Sequence, residues 1–120
     1  MSVRVLIVED EAIVAIDIAD QLTEAGFQVV GPAPSVAKAL KLIAEVGCDV
    51  AVLDVNLRDE TAEAVARELR SRRTPFLFLS AVSRDHLPSG FTEEVLLPKP
   101  ARPAVLVAAL KSSIARSPLN

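Results

Sequence analysis

The chain has no tryptophan and no tyrosine, and its aromatic residues are four phenylalanines. Surfaces that stack nucleobases need exposed aromatic faces, so this composition argues against a nucleic-acid platform. A net charge of −3 points the same way, because a nucleic-acid footprint is basic. There is one cysteine, Cys48, which excludes an internal disulfide and fits a reducing compartment. Its expected role is that of a small packing hydrophobe. There is one histidine, His86, with no cysteine near it, so it reads as a solvated loop residue rather than a metal ligand. No apolar run approaches a membrane span, and the N-terminus enters an apolar segment without signal-peptide architecture. A cytoplasmic protein with no membrane or nucleic-acid partner is expected.

What is present is an aliphatic core. Hydrophobic residues make up 51% of 120 positions, enough for one domain spanning residues 1–120. The Met1 start and the Ser117–Asn120 tail favour a natural single domain with no output domain. Residues 3–8 read as a buried strand, ending in Glu9, Asp10 and Glu11. Apolar positions 12, 15, 16, 19 and 22 then follow the helical period, and Gly26 marks the stop. Residues 27–30 form a second strand closed by Gly31-Pro32. Ser35 is placed to cap a second helix that Gly47 ends. Residues 49–53 form a third strand running into Asp54, a helix covers about 60–73, and residues 76–79 form a fourth strand ending at Ser80. The cluster Arg70, Arg72 and Arg73 reads as the solvated end of that third helix. Residues 81–92 hold Pro88 and Gly90, so a fourth helix there is short or irregular. A fifth strand at 95–97 precedes Pro98-Lys99-Pro100, and Pro103 opens a last helix running to about Arg116.

Alternating strands and helices predict an α/β fold: a doubly wound, five-stranded parallel sheet, flavodoxin-like in its order 2-1-3-4-5, with helices on both faces. Ligands of such sheets bind beyond the carboxyl ends of the strands, where the order reverses. Glu9, Asp10 and Asp54 would share that pocket, with Ser80 and Lys99 on its far rim. At about 5 Å and an effective dielectric near 20, each ionised carboxylate pair repels by roughly 3 kcal/mol. Either a proton is shared or a hard cation binds, and an all-oxygen set with a phosphate ligand suits Mg²⁺ rather than zinc. A carboxylate is also a nucleophile towards phosphorus, and such a transfer asks mainly for positioning and charge neutralisation.

The segments Leu6-Ile7-Val8-Glu9-Asp10-Glu11, Leu53-Asp54-Val55-Asn56, Leu79-Ser80-Ala81 and Lys99-Pro100 resemble the response-regulator receiver domain of two-component signalling. Within that family the chain is similar to stand-alone receivers of alphaproteobacteria. The resemblance implies Asp54 as phosphoryl acceptor and Glu9 and Asp10 as the metal-binding acids. It implies a metal-directed backbone carbonyl at Asn56, a switch hydroxyl at Ser80, and a lysine, Lys99, bridging to the acceptor across a cis Lys99-Pro100 bond. The phosphoryl source would be a sensor histidine kinase or histidine phosphotransfer protein. The chain would be no turnover enzyme, its output passing through protein partners or a phosphate-sink role. The sequence departs from the family at Leu96 and Ala101, where aromatic residues are usual. Val82, two residues after Ser80, predicts slow loss of the phosphoryl group.

Three other readings compete. The chain would also fit an excised receiver of a hybrid kinase or longer regulator. A haloacid dehalogenase-type phosphatase pairs an aspartyl nucleophile with Mg²⁺, but it places Asp-x-Asp on its first strand; here Asp54-Val55-Asn56 lies on the third. The third, a flavin- or dinucleotide-binding domain, fails: a pyrophosphate would want glycine where Glu9, Asp10 and Glu11 stand, and acids there repel phosphate.

Overall fold

The structure is a computed structural model that describes residues 2–81, 87–91 and 94–116. Val82 and His86, and the expectations attached to them, lie outside the described residues. The elements run β1 (Arg4–Val8), α1 (Ala12–Glu24), β2 (Gln28–Ala33), α2 (Val36–Glu45), β3 (Val50–Asp54), β4 (Asn56–Leu57), β5 (Glu60–Thr61), α3 (Glu63–Ser71), β6 (Phe76–Ser80), β7 (Leu96–Pro98) and α4 (Pro103–Ala115). The main sheet is ordered β2-β1-β3-β6-β7 and every pairing in it is parallel. Counting only its own strands, that is the expected 2-1-3-4-5.

Strand side chains alternate between two cores, which is why the central strands read as unbroken apolar runs. Leu6, Ala51, Leu53, Phe76 and Phe78 pack on one face beneath α2 and α3, through Ala39, Ile43, Val65 and Leu69. Val5, Ile7, Val52, Leu77 and Leu79 pack on the other beneath α1 and α4, through Ile18, Leu22, Leu106 and Leu110. Both faces are therefore dry, and the polar groups are left to the strand ends.

Three local expectations are corrected. β2 does not close at Gly31-Pro32 but continues to Ala33, with a register shift against β1 between Leu6 and Val8. An edge strand tolerates the missing proline N–H. Gly31 is obligatory there: its φ is +93°, and a Cβ would stand 2.8 Å from the Ala33 nitrogen. Both Gly31-Pro32 and Lys99-Pro100 are cis, the second as the resemblance implied. The third helix begins at Glu63, not near residue 60, because residues 56–61 form the small antiparallel β4–β5 hairpin. Its reversal is carried by Asp59, at φ +61°.

The third correction is that Arg70 is not simply a solvated helix end. Its guanidinium stacks 3.9 Å from the Phe91 ring centroid and donates to the Gly90 carbonyl and to Glu94 Oε2, at 2.9 and 2.7 Å. The short or irregular fourth helix expected within 81–92 falls in part on residues 82–86 and 92, outside the described residues; of the described part, Leu87 and Phe91 are buried. Phe91 closes a cluster with Phe76 and Phe78, edge-to-face with Phe78 and tilted against Phe76.

Candidate functional site

Each strand of the central three ends in a polar residue that the sheet holds in place. Glu9 follows β1, and its backbone N–H still donates to the Ala33 carbonyl at 3.0 Å. Asp54 is the last residue of β3, with its neighbour Val55 donating to Leu79 at 3.1 Å. Ser80 ends β6, and its carbonyl accepts from the Lys99 backbone N–H at 3.0 Å. These ladder bonds bring four residues from distant parts of the chain to one edge.

Glu9, Asp10 and Asp54 offer carboxylate oxygens that all lie within 4.8 Å of one another. Glu9 and Asp54 are buried, at 2% and 6% exposure, and Ser80 at 3%. The acids do not cap α1. Glu9 Oε2 accepts from the Glu11 N–H at 3.1 Å, and the N-cap Glu11 makes no side-chain cap bond. Lys99 sits inside the cluster and not on its far rim. Its Nζ lies 2.6 Å from Glu9 Oε1 and 3.2 Å from Asp54 Oδ2, because a four-carbon stem lets the ammonium reach both. The lysine thus bridges to Asp54 as the resemblance implied, but its tighter partner is Glu9.

One lysine does not neutralise three acids. Burial and then the Glu9 charge push the Asp54 carboxyl up to about 6, against the pull of Lys99. Burial works to lower the Lys99 pKa, but its bonds and charges with Glu9 and Asp54 outweigh that and hold it above the ordinary value. The ammonium therefore stays charged, and the residual negative charge is what a cation would answer. Opposite ligands of a Mg²⁺ ion stand about 4.2 Å apart, so the oxygen spread needs little closing, and an all-carboxylate donor set is of the right hardness.

A cavity of about 330 Å³ opens over the cluster, bordered by Asp10, Asp54, Asn56, Arg58, Ser80 and Lys99. Asn56 is exposed at the start of β4, at the rim. Arg58 escaped the sequence reading. Its backbone N–H donates to Asp10 Oδ2 at 2.8 Å and fixes that carboxylate, a backbone role that no side-chain pattern announces. Glu60 was also missed: its Oε2 accepts from the Val36 N–H at 3.0 Å, tying the hairpin to the start of α2. Ser35 does cap α2, its hydroxyl accepting from Lys38 at 3.2 Å. Leu96 packs against the core that holds Phe91, and Ala101 borders a cavity of about 250 Å³ between α1 and α4. Cys48 packs half-buried against the same core as Leu96, and burial pushes its thiol up to about 11.

Residues 5–111 match the response regulator receiver domain. The chain belongs to the response regulator receiver family. It is 31% identical over 117 residues to the transcriptional regulatory protein PdtaR of Mycobacterium tuberculosis, a match covering 94% of this chain and 57% of PdtaR. The chain thus spans about half the length of the curated relatives it matches. The solution structure of SdrG from Sphingomonas melonis Fr1 is 36% identical, with a TM-score of 0.81 over 95% of this chain and 97% of that one. The BeF3-activated conformation of SdrG from Pseudomonas melonis Fr1 gives 0.77 at 36% identity, over 95% and 99%. Receiver domains generally bind Mg²⁺, and the acids of this one form a cluster suited to it. No helix among the described residues is long and apolar enough to cross a membrane.

Proposed function

We propose that this receiver is a phosphorylation-dependent signalling switch in which Asp54 accepts a phosphoryl group from a phosphohistidine. The donor is a sensor histidine kinase or histidine phosphotransfer protein. The observation that carries the reading is the cluster itself: three carboxylates within 4.8 Å, with a lysine ammonium touching two of them. In the transfer the phosphorus–nitrogen bond to imidazole breaks and a bond to an Asp54 carboxylate oxygen forms. Glu9, Asp10, Asp54 and the Asn56 carbonyl would hold Mg²⁺, which supplies neutralisation of the phosphoryl oxygens. Lys99 pairs with the phosphoryl group as its bond to Asp54 is released, and the Ser80 hydroxyl donates to a phosphoryl oxygen. The acceptor belongs to the chain, so one phosphoryl group changes one molecule's state. The added charge, close to −2, is of the size that reorders a loop. Output then passes to a protein partner, or the chain drains phosphoryl groups from a kinase. The BeF3-activated state of SdrG, a relative 36% identical, supports the reading, since beryllofluoride mimics a phosphoryl group on a carboxylate.

The test is incubation with Mg²⁺ and acetyl phosphate, followed by intact-mass measurement. A single phosphoryl adduct that base removes is expected on wild type and absent from Asp54→Asn. Equal labelling of the two proteins would sink the proposal.

A further inference from the structure

The end of the sheet opposite the acidic cluster carries a cavity that the chemistry proposed for Asp54 does not use. It measures about 420 Å³, within the roughly 300–1,000 Å³ of ordinary small-molecule pockets. Pro75 and Phe76, at the amino end of β6, and Val95, just before β7, give it an apolar wall. β6 runs from Phe76 to Ser80, so about 13 Å of extended strand lies between this cavity and the acidic cluster.

Three arginines border the cavity against one acid, Glu94. Arg70 is committed: it pairs with Glu94 at 2.7 Å and stacks on Phe91. Arg73 and Arg116 have no ion pair among the described residues. The plainer account is that both serve helix C-terminal ends, where the dipole favours cations. Arg116 does so in part, since its Nε donates to the Ser112 carbonyl at 3.3 Å. Arg73 fits that account less well. It follows the C-cap of α3 in left-handed backbone, at φ +58°, where glycine or asparagine is usual. The chain keeps a long cationic side chain at a position that a smaller residue would fill with less strain.

Ser113 is the independent observation. It borders the same cavity, is only 6% exposed, and its hydroxyl has no hydrogen-bond partner. A buried hydroxyl left unpaired works against folding, so alanine would serve packing better there.

We propose that this cavity binds a small organic dianion. Arg73 and Arg116 hold its oxyanion group, its carbon body lies against Pro75, Phe76 and Val95, and the Ser113 hydroxyl finds its acceptor on the ligand. Guanidinium N–H groups match carboxylate and phosphate oxygens in pairs, so a dicarboxylate and a phosphate monoester share the required chemistry. Phe76 is too deeply buried for a base to stack on it, which sets nucleotides aside. This binding does not depend on phosphoryl chemistry at Asp54.

Titration of the isotope-labelled 120-residue chain with phenyl phosphate and, separately, with benzylsuccinate, both without Mg²⁺, tests the proposal by amide chemical shifts. Saturable shifts at residues 73–76, 94–95 and 113–116 are expected, and the tighter probe identifies the source of the oxyanion. Inorganic phosphate, lacking a carbon body, binds at least about tenfold more weakly. Arg73→Asn, which suits the left-handed backbone, and Arg116→Gln each weaken binding about tenfold. Ser113→Ala weakens it about threefold without lowering the thermal midpoint of the free chain, a split that a packing role would not give. The proposal is overturned by no saturable shift with either probe up to about 20 mM, or by shifts centred on Asp54 instead. Inorganic phosphate binding as tightly as the probes, or unchanged affinity in both arginine variants, overturns it equally.

Discussion

Two buried regions on either side of β6 are built on opposite physics. At its carboxyl end Glu9, Asp54 and Ser80 are sealed in with one lysine. At its amino end Phe76 joins Phe78 and Phe91 in an aromatic cluster that Arg70 closes from outside. Burial of the aromatics removes apolar surface from water and holds the fold together. Burial of the carboxylates works against folding and raises the Asp54 pKa, and what it leaves is a pocket short of positive charge. The receiver thus keeps its instability at the site proposed to take a phosphoryl group and anchors the adjoining chain with the cluster.

Truncation in the aromatic region has the largest expected effect. Phe91→Ala leaves a cavity between Phe76 and Phe78 and costs about 3–5 kcal/mol in denaturant unfolding. A loss below about 1 kcal/mol would show that the cluster anchors nothing.

Asp54→Asn should move stability the other way. The folded carboxyl titrates at about 6 and the unfolded one at 3.8, so between those values the unfolded chain binds fewer protons. The contribution of Asp54 is therefore fully present below pH 3.8 and lost as pH rises through 6. At pH 7 without metal, Asp54→Asn is expected to be more stable than wild type by about 2 kcal/mol, the difference vanishing near pH 4. Equal stability at pH 7 would mean that the charge is already compensated.

Lys99→Met sharpens the same contrast. With the ammonium gone from Glu9 and Asp54, Mg²⁺ no longer competes with it, and titration should show binding tightened by about tenfold, worth 1.4 kcal/mol. Unchanged or weaker binding would make the lysine a scaffold of the site and not a rival cation.

Smaller still is Arg70→Ala, which removes the stacked guanidinium and two hydrogen bonds. The expected loss is about 1 kcal/mol, with faster amide exchange confined to residues 87–91 and 94. The least effect is at Cys48, whose thiol is held up to about 11 by burial. Alkylation at pH 8 should be slow and speed up only as pH approaches that value; rapid reaction at pH 8 would show the site open.

The layout of strands and helices was legible because parallel strands buried on both faces must read as apolar runs, and amphipathic helices must show their period. Glu9, Asp10, Asp54, Ser80 and Lys99 were legible as polar residues at the ends of those runs. Less visible were features made by the backbone. The β4–β5 hairpin came from backbone pairing of two-residue strands in which Leu57 alone is buried, and β2 ran on through Gly31-Pro32 where local composition signals a stop. Arg58 holds Asp10 by its N–H, a group every residue but proline has, so nothing in its side chain marked it.

The sequence by itself thus determined the fold class and the residue types at the site, since burial patterning and strand-end polarity depend on local composition. Only the tertiary structure decided how charge is shared there. Lys99 lies nearer Glu9 than Asp54, a choice between two carboxylates 45 residues apart that rests on side-chain reach across the sheet. It likewise decided that Arg70 belongs to Phe91, Gly90 and Glu94, partners some 20 residues away that only packing brings within contact.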